Sequence, residues 1–251
     1  MNSEMTASVL VIGNEVLSGR TPDRNLNHVA RRLAELGIEL REARILPDDE
    51  AMIVEAVNDA RGRYRYVFTT GGIGPTHDDI TADSIAKAFG VGISHHPDAV
   101  AVLRANYPPE MLNEARLRMA RIPDGAVLVK NPVSHAPGFR IENVYVFAGV
   151  PAIMQAMFEE IAHELEGGPP ATSVTVSCFL GEGTVAERLR EIQEEWRAAV
   201  EIGSYPFYRK KRYGTSIVFR SRDPGALDAA AASFRAIVRE LGEEPVEGEV
   251  A

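Results

Sequence analysis

Cysteine is nearly absent from the sequence: a single residue, Cys178, means that no disulfide can form within the chain. Cys178 lies in the stretch ATSVTVSCFL, whose apolar and β-branched residues predict a buried strand, and no basic residue adjoins it. Neighbouring positive charge is what activates a cysteine as a nucleophile. We therefore interpret Cys178 as a small, unreactive core residue.

Long apolar runs and an excess of basic residues are also missing. No stretch reaches the roughly 20 apolar residues of a membrane-spanning helix. The N-terminal sequence MNSEMTASVLVIG lacks the positively charged start of a secretory signal. We therefore expect a cytoplasmic protein without a membrane partner. The formal net charge of -9, with no long basic tract, predicts that nucleic acid is not a partner either.

Apolar residues are plentiful, at 45% of 251 residues, which is enough for one large domain or two smaller ones. Strand-like apolar stretches alternate with helical ones along the first part of the chain. The first strand pattern is ASVLVIG. A helical pattern follows it, in which one face carries Leu26, Val29, Leu33 and Leu36. This alternation predicts an α/β fold with a mostly parallel sheet that is covered by helices on both faces.

The glycine- and proline-rich cluster GGPPA, at residues 167–171, interrupts this alternation and predicts a linker. We accordingly predict an α/β domain over residues 1–168. Residues 169–251 then form a small α+β subdomain with the order strand, helix, strand, strand, helix.

The motif TTGGIGPTHDDIT, at residues 69–81, directly follows the predicted strand YRYVFTT. Ligands of α/β proteins usually bind at the carboxyl ends of parallel strands. Gly71, Gly72 and Gly74 allow the backbone to turn sharply and approach a ligand closely. Free N–H groups of the following helix would face the same turn, which predicts an anion site. The motif has neither the P-loop ending nor the glycine spacing of a dinucleotide fingerprint.

Two adjacent carboxylates, Asp78 and Asp79, follow the glycines. One of them is explained as a helix cap, because Thr76 and Asp79 have the spacing of a capping box. The other is not, and two carboxylates beside a phosphate would repel it unless a cation lies between them. We therefore predict that Asp78 or Asp79 holds a divalent cation, Mg, Mn or Co.

Further acidic residues follow the first two predicted strands. Glu15 comes after the first strand and Asp48 after the second, so both should reach the edge of the sheet that carries the motif. Each has a simpler interpretation on its own. Asp48 or Asp49 fits a helix cap, and Glu15 fits a solvated side chain.

A basic tract, residues 209–212, follows the sequence GSYPFY in the predicted subdomain. A charge run of this size is usually a solvated loop. Because Tyr205, Phe207 and Tyr208 lie beside it, a clamp on the tail of a nucleotide is the alternative.

Several stretches together resemble a known family. GNEVLSG, PDRN, LPDD, TTGGIGPTHDDIT, APGF and GVPAIM are similar to the molybdopterin-binding domain of molybdenum-cofactor biosynthesis proteins. The similarity is strongest to the branch containing competence/damage-inducible protein A and the N-terminal domain of eukaryotic FAD synthase. It runs from about residue 8 to 165, and more loosely through the tail. It implies a three-layer α/β fold, a pocket for a phosphate-bearing pterin or nucleotide, and a homo-oligomer, either dimer or trimer.

The resemblance also implies roles for individual residues. The catalytic acids are expected to be Glu15, Asp48 and Asp79, with Asp78 and Asp79 as metal ligands. The expected substrate-binding residues are Gly13, Asn14, Thr70, Gly71, Gly72, Gly74, Pro75, Thr76, Thr81, Asn131, Pro137, Gly138, Gly149 and Pro151.

Three functions follow from the resemblance. The leading hypothesis is metal-dependent hydrolysis of the pyrophosphate in an AMP-containing dinucleotide such as ADP-ribose or FAD. The alternative is molybdopterin binding or adenylylation, in which the same site takes AMP from ATP. The third is a nucleotide-binding module without catalysis, for which the departure from the usual Pro-Gly-x-Pro turn at Ala148–Pro151 leaves room.

Overall fold

A computed structural model describes residues 5–209 and 211–250. The chain divides into two compact units, Met1–Gly168 and Pro169–Ala251. The strands of the first unit are β1 (Thr6–Ile12), β2 (Glu39–Leu46), β3 (Tyr66–Thr70), β4 (Ile93–His95), β5 (Arg121–Pro123), β6 (Val127–Val129), β7 (Gly138–Ile141) and β8 (Val144–Phe147). Its helices are α1 (Asn14–Leu17), α2 (Asn25–Glu35), α3 (Glu50–Arg63), α4 (Thr81–Phe89), α5 (Pro97–Asn106), α6 (Glu114–Arg118) and α7 (Pro151–Ala162), with a 3₁₀ turn at Pro109–Met111.

The central sheet of the first unit has the strand order β2-β1-β3-β8-β7-β6. The pairs β2–β1, β1–β3 and β3–β8 are parallel, whereas β7 and β6 continue the sheet in antiparallel pairings. Every residue of β1 and of β3 is buried, as expected for central strands covered on both faces. The predicted α/β class with a mostly parallel sheet is therefore confirmed.

Helices cover both faces of this sheet and form the outer two of its three layers. On one face, Ile53, Ile85 and Leu103 of α3, α4 and α5 are fully buried in one cluster. On the other, Leu33 of α2 and Phe158 of α7 belong to a second cluster. Full burial of one such side chain stabilises the fold by about 1.5–3 kcal/mol, so the two clusters hold the sheet rigidly between them.

The second unit is built around the antiparallel sheet β10-β11-β9-β12. Its elements are β9 (Thr172–Cys178), α8 (Glu182–Glu195), β10 (Glu201–Arg209), β11 (Arg212–Ser221), α9 (Pro224–Glu240) and β12 (Val246–Glu247). Ile217, Phe219 and Phe234 lie in its core, which α8 and α9 help to form. Cys178 is fully buried in the same core, as predicted, and burial raises the pKa of its thiol.

None of the helices in the described part of the chain has the length and apolar composition that a membrane span requires.

Candidate functional site

The glycine turn after β3 is held tightly between neighbouring elements. Gly71 and Gly72 have φ values of 101° and 68°, in the left-handed region that favours glycine. A Cβ on Gly71 would lie 2.1 Å from the carbonyl oxygen of Ile12. Thr81 donates to the turn twice, from its amide to the Gly72 oxygen and from its hydroxyl to the Gly71 oxygen, each over 2.9 Å. The turn is therefore a preformed backbone surface at the carboxyl end of the sheet.

The two adjacent aspartates lie on the loop between this turn and α4. The N-cap of α4 is Ile80, which makes no side-chain cap hydrogen bond. The expectation that one of the two aspartates caps the helix is therefore wrong. The amide of Thr76 instead donates to Asp79 Oδ2 over 2.7 Å, and the Asp79 amide donates back to the Thr76 oxygen over 3.3 Å. These reciprocal bonds close a turn that precedes the helix.

Both carboxylates meet at one hydroxyl group. Thr76 Oγ1 lies 2.5 Å from Asp78 Oδ1 and also 2.5 Å from Asp79 Oδ2. The two carboxylate oxygens are therefore no further apart than twice that distance. A hydroxyl has one proton, so it can donate to only one of them at a time. When it donates to Asp78, Asp79 Oδ2 still accepts the Thr76 amide, but the two negative charges remain side by side, so the pair fits a divalent ion as two of its ligands.

Thr76 also controls the ionisation of Asp78. Its hydroxyl bond lowers the pKa of Asp78, together with the residue's own amide and the nearby His77. A lowered pKa favours the folded state above the ordinary pKa of an aspartate, and this contribution disappears as the pH falls through the lowered value. Asp78 is consequently ionised throughout the neutral range.

Replacing Thr76 by valine is expected to raise the pKa of Asp78 toward its ordinary value, because the hydroxyl donor is lost. Carboxyl-carbon NMR across an acid titration measures this directly. The substitution Thr184→Val, at an exposed position of α8, serves as the control and should leave the Asp78 titration unchanged. Identical Asp78 titrations in both variants would contradict the assignment of Thr76 as the controlling donor.

Asp48 and Glu15 occupy different positions from this pair. Asp48 Oδ2 accepts the amide of Asn14 over 2.9 Å and so ties the end of β2 to the start of α1. It is Asp49 that caps α3, by accepting the amide of Met52. Glu15 folds back over the preceding turn, where a Cβ on Gly13 would lie 2.5 Å from its carboxylate.

A first crevice lies beside the end of β1. Four predicted site residues line it: Glu15, Thr70, Gly149 and Pro151. Asn25 lines it as well, although it was not among the predicted residues; its side-chain amide donates to the Gly149 oxygen over 2.7 Å. Asn25 and Thr70 are 4% and 1% exposed, and the side-chain oxygen of each is buried without a partner in the structure. The crevice therefore offers buried acceptors to a ligand that carries hydroxyl or amino groups.

A second crevice is lined in part by residues that follow Gly71 and Gly72 in the chain. Gly74, Asp79 and Pro137 line it together with Arg118, which contributes positive charge. Arg121 also lines it but is held by Asp83 through two bonds of 2.6 and 2.9 Å. No sequence pattern pointed to these arginines, which lie at the end of α6 and at the start of β5.

Other predicted substrate-binding residues support the site from behind. Thr81 and Gly138 are buried, the first against the turn and the second inside β7. Asn131 is 5% exposed, and its amide group is used within its own loop, where it bonds to Val133, Ser134 and Ala136. Pro75 is exposed on the loop that carries the aspartates.

The predicted acids do not form one group. Across residues 5–209 and 211–250, no three histidine, cysteine, aspartate or glutamate side chains are close enough together to hold a metal ion. Asp48 bonds to a backbone amide, Glu15 lies at the first crevice, and Asp78 and Asp79 form a separate pair. Any cation at this pair would take its other ligands from the bound molecule and from water.

Comparison with family models gives two matches that together span most of the chain. Residues 8–167 match the model described as a probable molybdopterin binding domain. Residues 170–244 match the model described as the middle domain of FAD synthase. The junction between the two matches falls at the boundary between the two units of the structure.

Similar proteins occur in archaea and in animals. A protein of Aeropyrum pernix is 41% identical over 69% of this chain and 68% of its own length. One of Archaeoglobus fulgidus is 33% identical over 92% and 97%. A probable FAD synthase of Caenorhabditis elegans is 30% identical over 95% of this chain, which spans 51% of that longer protein. Among solved structures, the protein CinA of unknown function from Thermoplasma acidophilum is 32% identical with a TM-score of 0.62, over 65% of this chain and 99% of its own.

Proposed function

The chain belongs to the probable molybdopterin binding domain family, and we propose that it is a divalent-cation-dependent pyrophosphohydrolase. Its substrate would be an AMP-containing dinucleotide such as ADP-ribose or FAD. The name of the Caenorhabditis elegans relative, a probable FAD synthase, supports the choice of FAD among the substrates to be tested.

The observation that carries the proposal is the meeting of Asp78 and Asp79 at the hydroxyl of Thr76. These carboxylates would hold the cation. When bound, a divalent cation polarises phosphoryl oxygens and lowers the pKa of a water. Because the loop begins at the rigid turn of Gly71 and Gly72, the carboxylates are held beside a backbone surface that a phosphate can approach.

The chain's own residues supply the remaining contacts. Arg118 would place positive charge beside the phosphates in the second crevice. The buried oxygens of Asn25 and Thr70 would accept hydrogen bonds from hydroxyl or amino groups in the first crevice. A nucleotide carries both phosphates and such donor groups, which are the groups that these residues would recognise.

A substrate and metal screen tests the proposal. ADP-ribose and FAD are each incubated with the protein and cobalt, manganese or magnesium, and AMP is measured by chromatography. We expect AMP release that depends on the added cation and stops when a chelator is present. Folded protein that releases no AMP in any combination would refute hydrolysis. Tight binding without product would instead support a non-catalytic nucleotide-binding module.

The family description favours one alternative, molybdopterin binding with transfer of AMP from ATP. The same acidic pair and glycine turn would serve it, because both reactions involve a phosphoanhydride next to AMP. An ATP-dependent adduct of AMP with molybdopterin, detected by mass spectrometry, distinguishes transfer from hydrolysis.

A further inference from the structure

The β10–β11 hairpin of the second unit is basic, although the whole chain is acidic. Residues 201–222 contain six arginines and lysines and one glutamate, in a protein with a net charge of -9. The overall charge, which predicts no nucleic-acid partner, therefore conceals a local patch of the opposite sign. Such a patch is able to attract anionic partners even on an acidic protein.

The tip of this hairpin extends beyond its neighbouring strand. β11 pairs with β9 from Ser221 to Thr215, where Thr215 lies opposite the last residue of β9, Cys178. The pairing of β10 with β11 continues beyond this point, up to Arg209 opposite Arg212. The end of the hairpin is therefore a two-stranded ribbon.

The two faces of the hairpin differ. Ile217 and Phe219 of β11 lie in the core, so alternate residues of the strand point to the opposite face, which we call the helix-free face. The cross-strand register places Tyr205, Phe207, Arg209, Arg212 and Arg220 on it. This face thus carries two aromatic rings and three guanidinium groups, with one carboxylate, that of Glu201, opposite Arg220.

Neighbouring contacts hold part of this face in place. The Phe207 ring packs over Gly214, where a Cβ would lie 2.3 Å from the ring, and meets Phe179 edge-on at 5.7 Å. Arg212 stacks over the Phe179 ring at 4.7 Å and also pairs with Glu243. These contacts pre-order the surface.

Exposed aromatic rings distinguish the hairpin further. Tyr205, Tyr208 and Tyr213 are 60%, 56% and 74% exposed, and the last two form a ring pair with centroids 4.8 Å apart at the tip. Tyr205 lies on the helix-free face, whereas Tyr208 and Tyr213 lie on the opposite face of the ribbon, so Tyr205 is the exposed ring that a flat ligand on the helix-free face would cover.

Two other occupants fit these features less well. β10 lies at the outer edge of its sheet, but Pro206 has no N–H group to offer, so the edge is poorly suited to pairing with another strand. The core of a protein interface is depleted in charge, whereas here arginines are interspersed with the rings. Sites for single-stranded nucleic acid combine rings and positive charges in this way.

We propose that the helix-free face of the β10–β11 hairpin binds single-stranded nucleic acid. Tyr205 stacks on a base, while Arg209 and Arg220 contact phosphates on either side of it. Arg209 lies opposite Arg212, and Arg212 is eight residues from Arg220 along β11. Eight residues of a β-strand span about 26 Å, which is therefore the approximate distance between Arg209 and Arg220 along the hairpin. That length accommodates several nucleotides. The proposal is independent of the hydrolysis proposed for the first unit.

Fluorescence anisotropy of a labelled oligothymidylate of about 12 nucleotides tests the proposal with the full chain. Binding should weaken steeply as salt is raised. The variant Arg209→Glu/Arg220→Glu should lose at least about tenfold in affinity. The matched control Arg104→Glu/Arg197→Glu makes the same change of charge at exposed positions elsewhere and should bind like the unmodified protein. Circular dichroism verifies that each variant is folded.

Stacking is tested separately at Tyr205. The variant Tyr205→Ala should lose about tenfold in affinity, whereas Tyr205→Phe, which keeps a ring, should retain binding. Three results would overturn the proposal: no binding by the unmodified protein at low salt, equal loss in the charge control, or equally tight binding of duplex DNA. Sedimentation showing that the hairpin variants dissociate an oligomer, without any change in oligonucleotide binding, would also overturn it and assign the face to contact between copies of the chain.

Discussion

The double variant Asp78→Asn/Asp79→Asn is expected to lose at least about a hundredfold of the cation-dependent AMP release. Both carboxylates lie 2.5 Å from the Thr76 hydroxyl, and asparagine keeps their shape while removing their charge. The rate of AMP release is measured over a range of manganese concentrations. Calorimetric titration with the same ion should show binding to the unmodified protein and little to the variant.

The control for this experiment is Glu194→Gln/Glu195→Gln, which removes two adjacent exposed carboxylates from α8. It changes the net charge equally and should leave both the rate and the calorimetric titration unchanged. If the Asp78→Asn/Asp79→Asn variant had the rate and manganese dependence of the unmodified protein, Asp78 and Asp79 would not be the metal ligands. The assignment of the fold would not change with that result.

Replacing Gly71 by alanine is expected to destabilise the protein by about 3 kcal/mol or more. The φ of 101° is unfavourable for any residue with a side chain, and the added Cβ would lie 2.1 Å from the Ile12 oxygen. Because that oxygen belongs to the backbone of a buried central strand, rotation of a side chain cannot relieve the clash. Urea unfolding followed by circular dichroism measures the loss.

Gly62→Ala provides the matched control for this substitution. Gly62 lies in the last turn of α3, and nothing lies within 4 Å of its added Cβ. Alanine is the better helix former, so this variant should be as stable as the unmodified protein or up to about 1 kcal/mol more stable. Equal stability of the Gly71→Ala and Gly62→Ala variants would show that the turn after β3 is not held as the structure describes.

Much of the fold was predictable because local periodicity reflects burial. The apolar spacing of Val29 and Leu33 predicts the buried face of α2, and both residues are fully buried. Asp49 caps α3, whereas the sequence had left the choice between Asp48 and Asp49 open. The class of the sheet followed from the order of its elements, because parallel strands require crossover connections.

The candidate site was less predictable, because its partners are distant in sequence. The glycine turn was recognisable from its motif, yet the helix cap expected at one of the two aspartates proved to be a turn that precedes the helix. Asn25 lay within the quoted PDRN motif, but its buried, unpartnered oxygen could be seen only in the structure. Arg118 had no local signal at all.

The sequence by itself determined the α/β class, the glycine turn and the presence of two adjacent carboxylates, because each depends on residues that are neighbours along the chain. Only the tertiary structure decided which acids come together. It gathers Asp78 and Asp79 at one hydroxyl and leaves Glu15 and Asp48 elsewhere. The physical reason is that hydrogen bonds with loop backbone and side-chain groups orient these carboxylates, and strand order alone does not specify those bonds.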